Sequence, residues 1–134
     1  MAEQGRRDTT GRALILVAEQ DPHVKRLERY FLESAGFDVE FASDGEEGLE
    51  RARSRRPLIV ITEILLAKRD GLSVCRALKS DPATHGIPVV VFSILAASER
   101  ARQAGADAFL RKPLDDAQLV DTVHSLLKQG EGKA

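Results

Sequence analysis

Three short stretches of the sequence are apolar at every position, at residues 13–17, 58–61 and 89–92. Runs of this length are too short for typical helices, and they are typical of strands that are covered on both faces of a parallel sheet. Residues 37–41 instead alternate apolar and acidic side chains, which predicts a half-buried strand near the edge of the sheet. A brief apolar segment at residues 108–110 completes a set of five predicted strands.

An amphipathic segment follows each predicted strand. Asp21 and Pro22 predict the start of the first helix, because Asp is a good N-cap and Pro is favoured at the first helical position. The spacing of large apolar side chains predicts that this helix buries Val24, Leu27 and Phe31. Strands that alternate with helices predict an α/β fold, a three-layer sandwich with a parallel five-stranded sheet and right-handed crossovers.

The composition is that of one folded domain. A length of 134 residues predicts a single domain at residues 13–128, between a flexible N-terminal tail at 1–12 and a C-terminal tail at 129–134. Hydrophobic residues make up 43% of the chain and charged residues 31%, which excludes disordered, collagen-like and membrane-spanning chains. Aromatic residues are only 4%, so the core must be aliphatic.

The charge balance is close to neutral. A net charge of −1 provides no overall field to attract nucleic acid or an anionic membrane, so we expect neither as a direct partner. The basic run at residues 51–56 contains no aromatic residue for base stacking, and we interpret it as the solvated C-terminus of a helix. The single Cys75 cannot form an internal disulfide and the N-terminus lacks the apolar segment of a secretory signal, so we expect a cytoplasmic protein.

Polar side chains follow the predicted strands, at the edge where parallel sheets bind ligands. Glu19, Gln20 and Asp21 follow the first strand, and Glu63, Ser93 and Lys112 follow the third, fourth and fifth. Convergent carboxylates beside a lysine suit Mg²⁺ and a phosphoryl group, because this cation prefers oxygen ligands and an ammonium neutralises phosphate oxygens. The alternative is that these residues only cap helices or face solvent.

Six motifs occur in a characteristic order, at residues 14–22 (LILVAEQDP), 42–49 (ASDGEEGL), 70–75 (DGLSVC), 87–89 (IPV), 104–109 (AGADAF) and 112–113 (KP). With these motifs the chain resembles the receiver domain of bacterial response regulators over roughly residues 13–128. The resemblance implies a flavodoxin-like (βα)5 fold with strand order 2-1-3-4-5. It also implies a role in two-component, or phosphorelay, signal transduction.

The resemblance further implies roles for individual positions. In that family, acids after the first strand hold Mg²⁺, an Asp after the third strand accepts a phosphoryl group from a histidine kinase, and later residues respond to its arrival. Carried over by position, the metal ligands are Glu19, Gln20 and Glu63, the phosphoacceptor position is Glu63, and the switch and phosphate-contact positions are Ser93, Phe109 and Lys112. For Phe109 the alternative is a plain core residue of a short strand.

The departures from the family pattern lie at the acceptor and its metal ligands. Glu63 is one methylene longer than Asp, which moves its carboxylate by about 1.5 Å. Phosphoryl transfer depends on positioning to about 1 Å, so we expect that Glu63 is not phosphorylated. Gln20 is neutral and lacks the charge that helps to displace water from Mg²⁺, so Mg²⁺ binding is expected to be weak or absent.

Two interpretations of Glu63 follow. In the first, its longer side chain reaches toward Ser93 or Lys112, imitates a phosphorylated Asp and holds the domain in an active-like state. In the second, the site is silent and Glu63 only forms an ion pair with Lys112. The bulky Ile94 after Ser93 is predicted to narrow the mouth of the pocket in either case.

We therefore expect a stand-alone, non-enzymatic, receiver-like signalling domain with a degenerate phosphoacceptor site. It would act through contact with a protein partner, which is a histidine kinase, a downstream signalling protein or a second copy in a homodimer. The alternative is a receiver module of a larger response regulator or hybrid kinase that is still competent in phosphotransfer. A more distant alternative is a flavodoxin-like binder of a small ligand, which the lack of a Gly-rich phosphate loop after the first strand disfavours.

Overall fold

Strands and helices alternate along the part of the chain that the computed structural model describes, residues 12–132. The elements are β1 (Leu14–Ala18), α1 (Pro22–Ser34), β2 (Asp38–Ala42), α2 (Gly45–Arg55), β3 (Ile59–Thr62), α3 (Gly71–Ser80), β4 (Val89–Ser93), α4 (Ser98–Gln103), β5 (Ala108–Arg111) and α5 (Asp116–Gly132).

The strands form one parallel sheet in the order β2-β1-β3-β4-β5, which confirms the predicted flavodoxin-like fold. The three fully apolar runs correspond to β1, β3 and β4, the three central strands, and every residue in these strands is buried. The two edge strands, β2 and β5, are only partly buried. Apolar side chains on both faces are needed only where helices cover both faces of the sheet.

Helices cover the sheet on two sides. On one side α1 and α5 pack over a cluster that includes Ile15, Ile61 and Leu119. On the other side α2, α3 and α4 pack over a cluster that includes Leu16, Leu78 and Ala101. The aliphatic core expected from the composition therefore has two halves, separated by the sheet.

The buried face predicted for α1 is wrong by one position. Val24, Leu27 and Phe31 are only half-buried, whereas Glu28 and Leu32 are buried completely. A carboxylate is not scored as a core residue by any hydrophobic pattern, so the spacing of large apolar side chains selected the neighbouring stripe.

The ends of the predicted domain fall close to the limits of the described residues. Residues 1–11 of the predicted N-terminal tail and the final residues 133–134 lie outside them. Arg12 donates hydrogen bonds to the backbone oxygens of Glu33 and Phe37, at 2.9 Å each. Helix α5 continues to Gly132, so the boundary predicted at residue 128 lies within that helix. No helix in the range 12–132 is both long enough and apolar enough to cross a membrane.

Candidate functional site

Four of the predicted site residues meet at the carboxyl edge of the sheet. Glu19 follows β1, Glu63 follows β3, Ser93 ends β4 and Lys112 follows β5. The Nζ atom of Lys112 lies 2.9 Å from Oε1 of Glu19 and 2.8 Å from Oε2 of Glu63. The side chain of Lys112 therefore joins two carboxylates that arrive from different strands, and we call Glu19, Lys112 and Glu63 the rim cluster.

Both oxygens of the Glu63 carboxylate have partners. Oε1 accepts hydrogen bonds from the backbone N–H groups of Ile64, at 2.7 Å, and Leu65, at 3.1 Å. The hydroxyl of Ser93 donates a hydrogen bond to the same oxygen. Oε2 faces Lys112, and Glu63 as a whole is only 4% exposed. The longer acid at the acceptor position thus contacts both residues toward which it was predicted to reach.

These contacts keep Glu63 and Lys112 ionised. Burial by itself raises the pKa of Glu63, but hydrogen bonds from Lys112, Ser93 and the Leu65 N–H outweigh it and hold that pKa below its ordinary value. Burial likewise disfavours the charged form of Lys112, yet Glu63 and Glu19 hold the pKa of its ammonium above the ordinary value. At neutral pH Glu63 is therefore a carboxylate and Lys112 is an ammonium.

The three polar side chains that follow β1 bond to different partners. Glu19 is buried, and its Oε2 accepts hydrogen bonds from the backbone N–H groups of Gln20 and Asp21, at 3.2 Å each. The Asp21 side chain caps α1 by accepting from the N–H of His23 at 2.8 Å, as predicted. This hydrogen bond and a second from Val24 N–H hold the pKa of Asp21 below its ordinary value.

Gln20 points to a loop and does not join the rim cluster. Its Oε1 accepts a hydrogen bond from the backbone N–H of Ala67 at 2.5 Å, in the connection between β3 and α3. The carbonyl of Ala67 in turn accepts from the N–H of Gly45 at 3.1 Å. A residue predicted as a degenerate metal ligand therefore ties the β3–α3 loop to the end of β1.

The arrangement does not fit a bound Mg²⁺. Within residues 12–132, no group of three or more His, Cys, Asp or Glu side chains is placed to hold a metal ion. Glu19 and Glu63 both contact Lys112, whose ammonium occupies the space between the two carboxylates. The amide oxygen of Gln20 is already bonded to Ala67.

A close backbone contact fixes the start of α3 against the acceptor position. A Cβ atom on Gly71 would lie 1.9 Å from the backbone oxygen of Glu63, so only glycine fits there. The N–H of Gly71 also donates to the backbone oxygen of Ile64 at 2.9 Å. Asp70 caps the helix by accepting from the N–H of Ser73 at 2.9 Å. The motif DGLSVC thus positions the turn that presents two N–H groups to Glu63.

A cavity of about 770 Å³ opens beside the rim cluster. Its lining includes Glu63 and Lys112 together with apolar side chains from several elements, among them Leu27, Leu65 and Ile94. Leu65 is 56% exposed and Ile94 is 58% exposed, so both stand at its mouth. Narrowing of the mouth by Ile94 stays a prediction.

The Phe109 position lies away from the rim cluster, in β5. Its side chain is half-buried and packs against the apolar cluster beneath α2, α3 and α4. Next to it, Arg111 Nε donates to the backbone oxygen of Ile94 at 2.9 Å, which links β5 to the β4–α4 connection. Sequence reasoning missed this contact of Arg111, because nothing in the local pattern indicates the direction of an exposed arginine.

The basic run on α2 is largely paired with acids. Arg51 and Arg55 contact the carboxylate of Glu40, at 2.7 Å and 3.0 Å, and Arg53 lies 3.5 Å from the Asp81 carboxylate. Helix α2 ends within this run, at Arg55, so the run forms a helix C-terminus as predicted, although its arginines are paired with acids and not only solvated.

Fold and site together define a class of protein: a parallel α/β sandwich of order 2-1-3-4-5 whose acids, hydroxyl and lysine meet at the carboxyl edge of the central strands. Residues 15–124 match the model of the response regulator receiver domain. The chain therefore belongs to the receiver domain family of two-component signalling. The sequence resemblance is confirmed, and this class of domain acts in signalling.

Relatives of the chain occur in regulators of different sizes. It is 35% identical over 118 residues to the DNA-binding dual master transcriptional regulator RpaA of Synechocystis, and the match covers 86% of this chain but 49% of RpaA. It is 30% identical over 116 residues to the polar-differentiation response regulator DivK of Brucella anthropi, which covers 84% of this chain and 94% of DivK. This chain thus spans about half of RpaA and nearly all of DivK.

A solved structure shows the same fold. The signal receiver domain of a signal transduction histidine kinase from Syntrophus aciditrophicus is 32% identical and superposes with a TM-score of 0.80, over 87% of this chain and 90% of the other.

Proposed function

We propose that this receiver domain is held in one signalling state by Glu63 and acts through protein–protein contact without phosphorylation at that position. The observation that carries the proposal is the carboxylate of Glu63, which bonds Lys112 through one oxygen and Ser93, Ile64 and Leu65 through the other.

Phosphorylation of a carboxylate requires one oxygen to approach the phosphorus in line, with the other charges arranged around the transferring group. In Glu63 neither oxygen is free for such an approach, and the contacts that would surround a phosphoryl group are made by the carboxylate itself. Gln20 is neutral and its amide oxygen is bonded to the N–H of Ala67, so it is not available as a metal ligand, which supports the same conclusion.

The contact with Ser93 favours a held state over a merely silent ion pair. A silent pair needs only the contact between Glu63 and Lys112. In addition, the hydroxyl of Ser93 donates a hydrogen bond to Glu63. Ser93 stands at the position that, in this family, responds to the arrival of the phosphoryl group. A histidine kinase or a downstream signalling protein is the partner class that fits such a domain.

The phosphorylation part of the proposal is tested by intact-mass measurement after incubation with Mg²⁺ and acetyl phosphate. We expect no added phosphoryl group on the wild type. The double variant Glu63→Asp with Gln20→Asp should gain one, because it restores both the length of the acceptor and a metal ligand. Modification of the wild type that Glu63→Ala abolishes would refute the proposal.

The held state is tested by backbone NMR without any phosphodonor. In Glu63→Asp the shorter side chain cannot span from Lys112 to Ser93, so the amide resonances of Ser93 and Phe109 should move. Glu33→Gln, a change on the outer part of α1, is the control and should leave them in place. Unchanged resonances in Glu63→Asp would favour the silent ion pair.

A longer regulator or hybrid kinase that contains this domain and still carries out phosphotransfer is a second candidate. The 49% share of RpaA that the chain matches favours it. The same mass measurement distinguishes this candidate, because it alone predicts a phosphorylated wild type.

A further inference from the structure

The connection between β4 and α4, residues 94–97, leads to a helix that has no side-chain cap. Helices α1, α2 and α3 each begin at a cap formed by an aspartate side chain, from Asp21, Asp44 and Asp70. Helix α4 is only six residues long, and Ala97 at its N-cap position has no polar side chain with which to cap it. The position of the connection therefore depends on apolar packing and on hydrogen bonds nearer to β4.

Three hydrogen bonds hold the end of β4 and the first residues of this connection. The backbone N–H of Lys112 donates to the backbone oxygen of Ser93 at 2.9 Å. The N–H of Leu95 donates to the hydroxyl oxygen of Ser93 at 3.2 Å. The Nε atom of Arg111 donates to the backbone oxygen of Ile94 at 2.9 Å. Of these three bonds, only the one from Arg111 joins β5 directly to the connection.

The register of the sheet explains why Arg111 reaches Ile94. In the parallel pair of β4 and β5, Arg111 lies opposite Ser93, the last residue of β4. Its side chain therefore starts beside the point at which the chain leaves the sheet. Because the backbone of Arg111 belongs to a strand of that sheet, its guanidinium links a fixed element to the connection.

Ile94 is the residue of the connection that faces the rim cluster. Its side chain is 58% exposed and lines the cavity of about 770 Å³, together with Glu63 and Lys112. A hydrogen bond to the carbonyl of a residue restricts the backbone from which its side chain projects. The bond from Arg111 therefore restricts where the side chain of Ile94 lies at the mouth of the cavity.

We propose that Arg111 is a positioning residue that keeps Ile94 at the mouth of the cavity and so limits which molecules reach the side chain at position 63. Loss of the bond frees the start of the connection and widens the mouth. The bond includes no atom of the rim cluster, so this role is independent of the signalling state that Glu63 holds.

Access to position 63 is measured by the rate at which iodoacetamide alkylates the thiol introduced by Glu63→Cys. Adding Arg111→Met removes the hydrogen-bond donor but keeps an unbranched side chain. Alkylation should then quicken about fivefold, the factor that corresponds to the net contribution of one ordinary hydrogen bond. Arg100→Met is the matched control, because it removes the same charge from an exposed position of α4, and it should leave the rate unchanged.

The native Cys75 is an internal reference for opening of the whole domain. It is 0% exposed and packs in the cluster beneath α2, α3 and α4, on the other side of the sheet from α1 and α5. Peptide mass spectrometry separates its alkylation from that at position 63. A parallel rise at both thiols in the Arg111→Met background would mean global opening and would overturn the proposal.

A second measurement keeps Glu63 in place. Hydrogen exchange at the N–H of Leu95 should quicken about fivefold in Arg111→Met and keep its rate in Arg100→Met, because only the first change frees the connection. Unchanged rates for Arg111→Met in either measurement overturn the proposal. Neither measurement uses a phosphodonor, so phosphorylation of the wild type would refute the proposed function and leave the role of Arg111 standing.

Discussion

Two buried glutamates of this domain behave in opposite ways. Glu63 is 4% exposed and Glu28 is 0% exposed, so the two differ little in burial. Nevertheless the pKa of Glu63 lies below the ordinary value, whereas that of Glu28 is raised to about 8. The difference is in their partners, because Glu63 has an ammonium, a hydroxyl and two N–H groups, and Glu28 has no hydrogen-bond donor in the range 12–132.

The backbone explains why the partners differ. Glu63 follows the end of a strand, where the N–H groups of Ile64 and Leu65 point into the turn and are free to bond a side chain. Glu28 lies in the interior of α1, where each backbone N–H is already used by the carbonyl four residues earlier. Strand ends thus provide donors for a buried carboxylate, and helix interiors do not.

The largest effect is expected from removing the cation of the rim cluster. Lys112→Met leaves Glu19 and Glu63 buried without their ammonium, so the free energy of unfolding in urea should fall by about 4 kcal/mol at neutral pH. Lys68→Met is the control, because Lys68 is exposed and lies 3.5 Å from Asp44, and it should cost less than about 1 kcal/mol. Equal losses in the two variants would mean that the rim cluster contributes no more than a surface ion pair.

Next in size is the effect of Glu28 itself. The folded chain binds the Glu28 proton more tightly than the unfolded chain, so the contribution of Glu28 to stability is highest below pH 4.5 and is lost as the pH rises toward about 8. Glu28→Leu should remove this decline and raise the free energy of unfolding by about 3 kcal/mol at pH 7. Urea unfolding of the wild type and the variant at several pH values measures both changes.

Glu33→Gln serves as the reference for the Glu28 prediction. Glu33 forms an exposed ion pair with Arg29 at 3.1 Å on the same helix, so its loss should change stability little between pH 5 and pH 8. If Glu28→Leu destabilises the domain or leaves the pH dependence intact, Glu28 has partners after all and the contrast with Glu63 fails.

A smaller effect of opposite sign is expected at Glu63. Its lowered pKa means that its contribution is present above the ordinary value of 4.5 and is lost as the pH falls through the lowered pKa. Glu63→Gln should therefore be less stable than the wild type by about 2 kcal/mol at neutral pH. The difference in the free energy of unfolding between the wild type and Glu63→Gln should disappear at acid pH. Urea unfolding at decreasing pH measures this difference. A constant gap at all pH values would contradict an ionised, hydrogen-bonded Glu63.

The smallest effect concerns the hydrogen bond between Gln20 and the N–H of Ala67, which joins the β3–α3 loop to the end of β1. Gln20→Ala removes the acceptor of the Ala67 N–H, so stability should fall by about 1 kcal/mol. Hydrogen exchange at Ala67 should quicken, while the amides of Ile64 and Leu65, which bond Glu63 and not Gln20, should keep their rates. Quickening at all three amides would mean that Gln20 supports the rim cluster as well as the loop.

Much of the fold was predictable from local patterns, and less of the site was. The apolar runs predicted the central strands because a parallel sheet covered on both faces favours apolar side chains on both faces of β1, β3 and β4, whose polar residues, Thr62 and Ser93, lie only at the strand ends. The Asp21 cap and the convergence of Glu19, Glu63, Ser93 and Lys112 were predictable from strand ends. The bond from Ala67 to Gln20 was not, since no local pattern shows that a backbone N–H of the β3–α3 loop meets a side chain after β1.

The sequence by itself determined the order of strands and helices, the aliphatic core and the identity of the polar residues at the carboxyl edge, because periodicity and position after a strand are local properties. Only the tertiary structure decided which carboxylates have partners. That depends on atoms brought together from distant parts of the chain, such as the ammonium of Lys112 against the carboxylate of Glu19. For the same reason, only the folded chain reveals that Glu28 is a core residue, since no hydrophobic pattern places an unpaired carboxylate inside a protein.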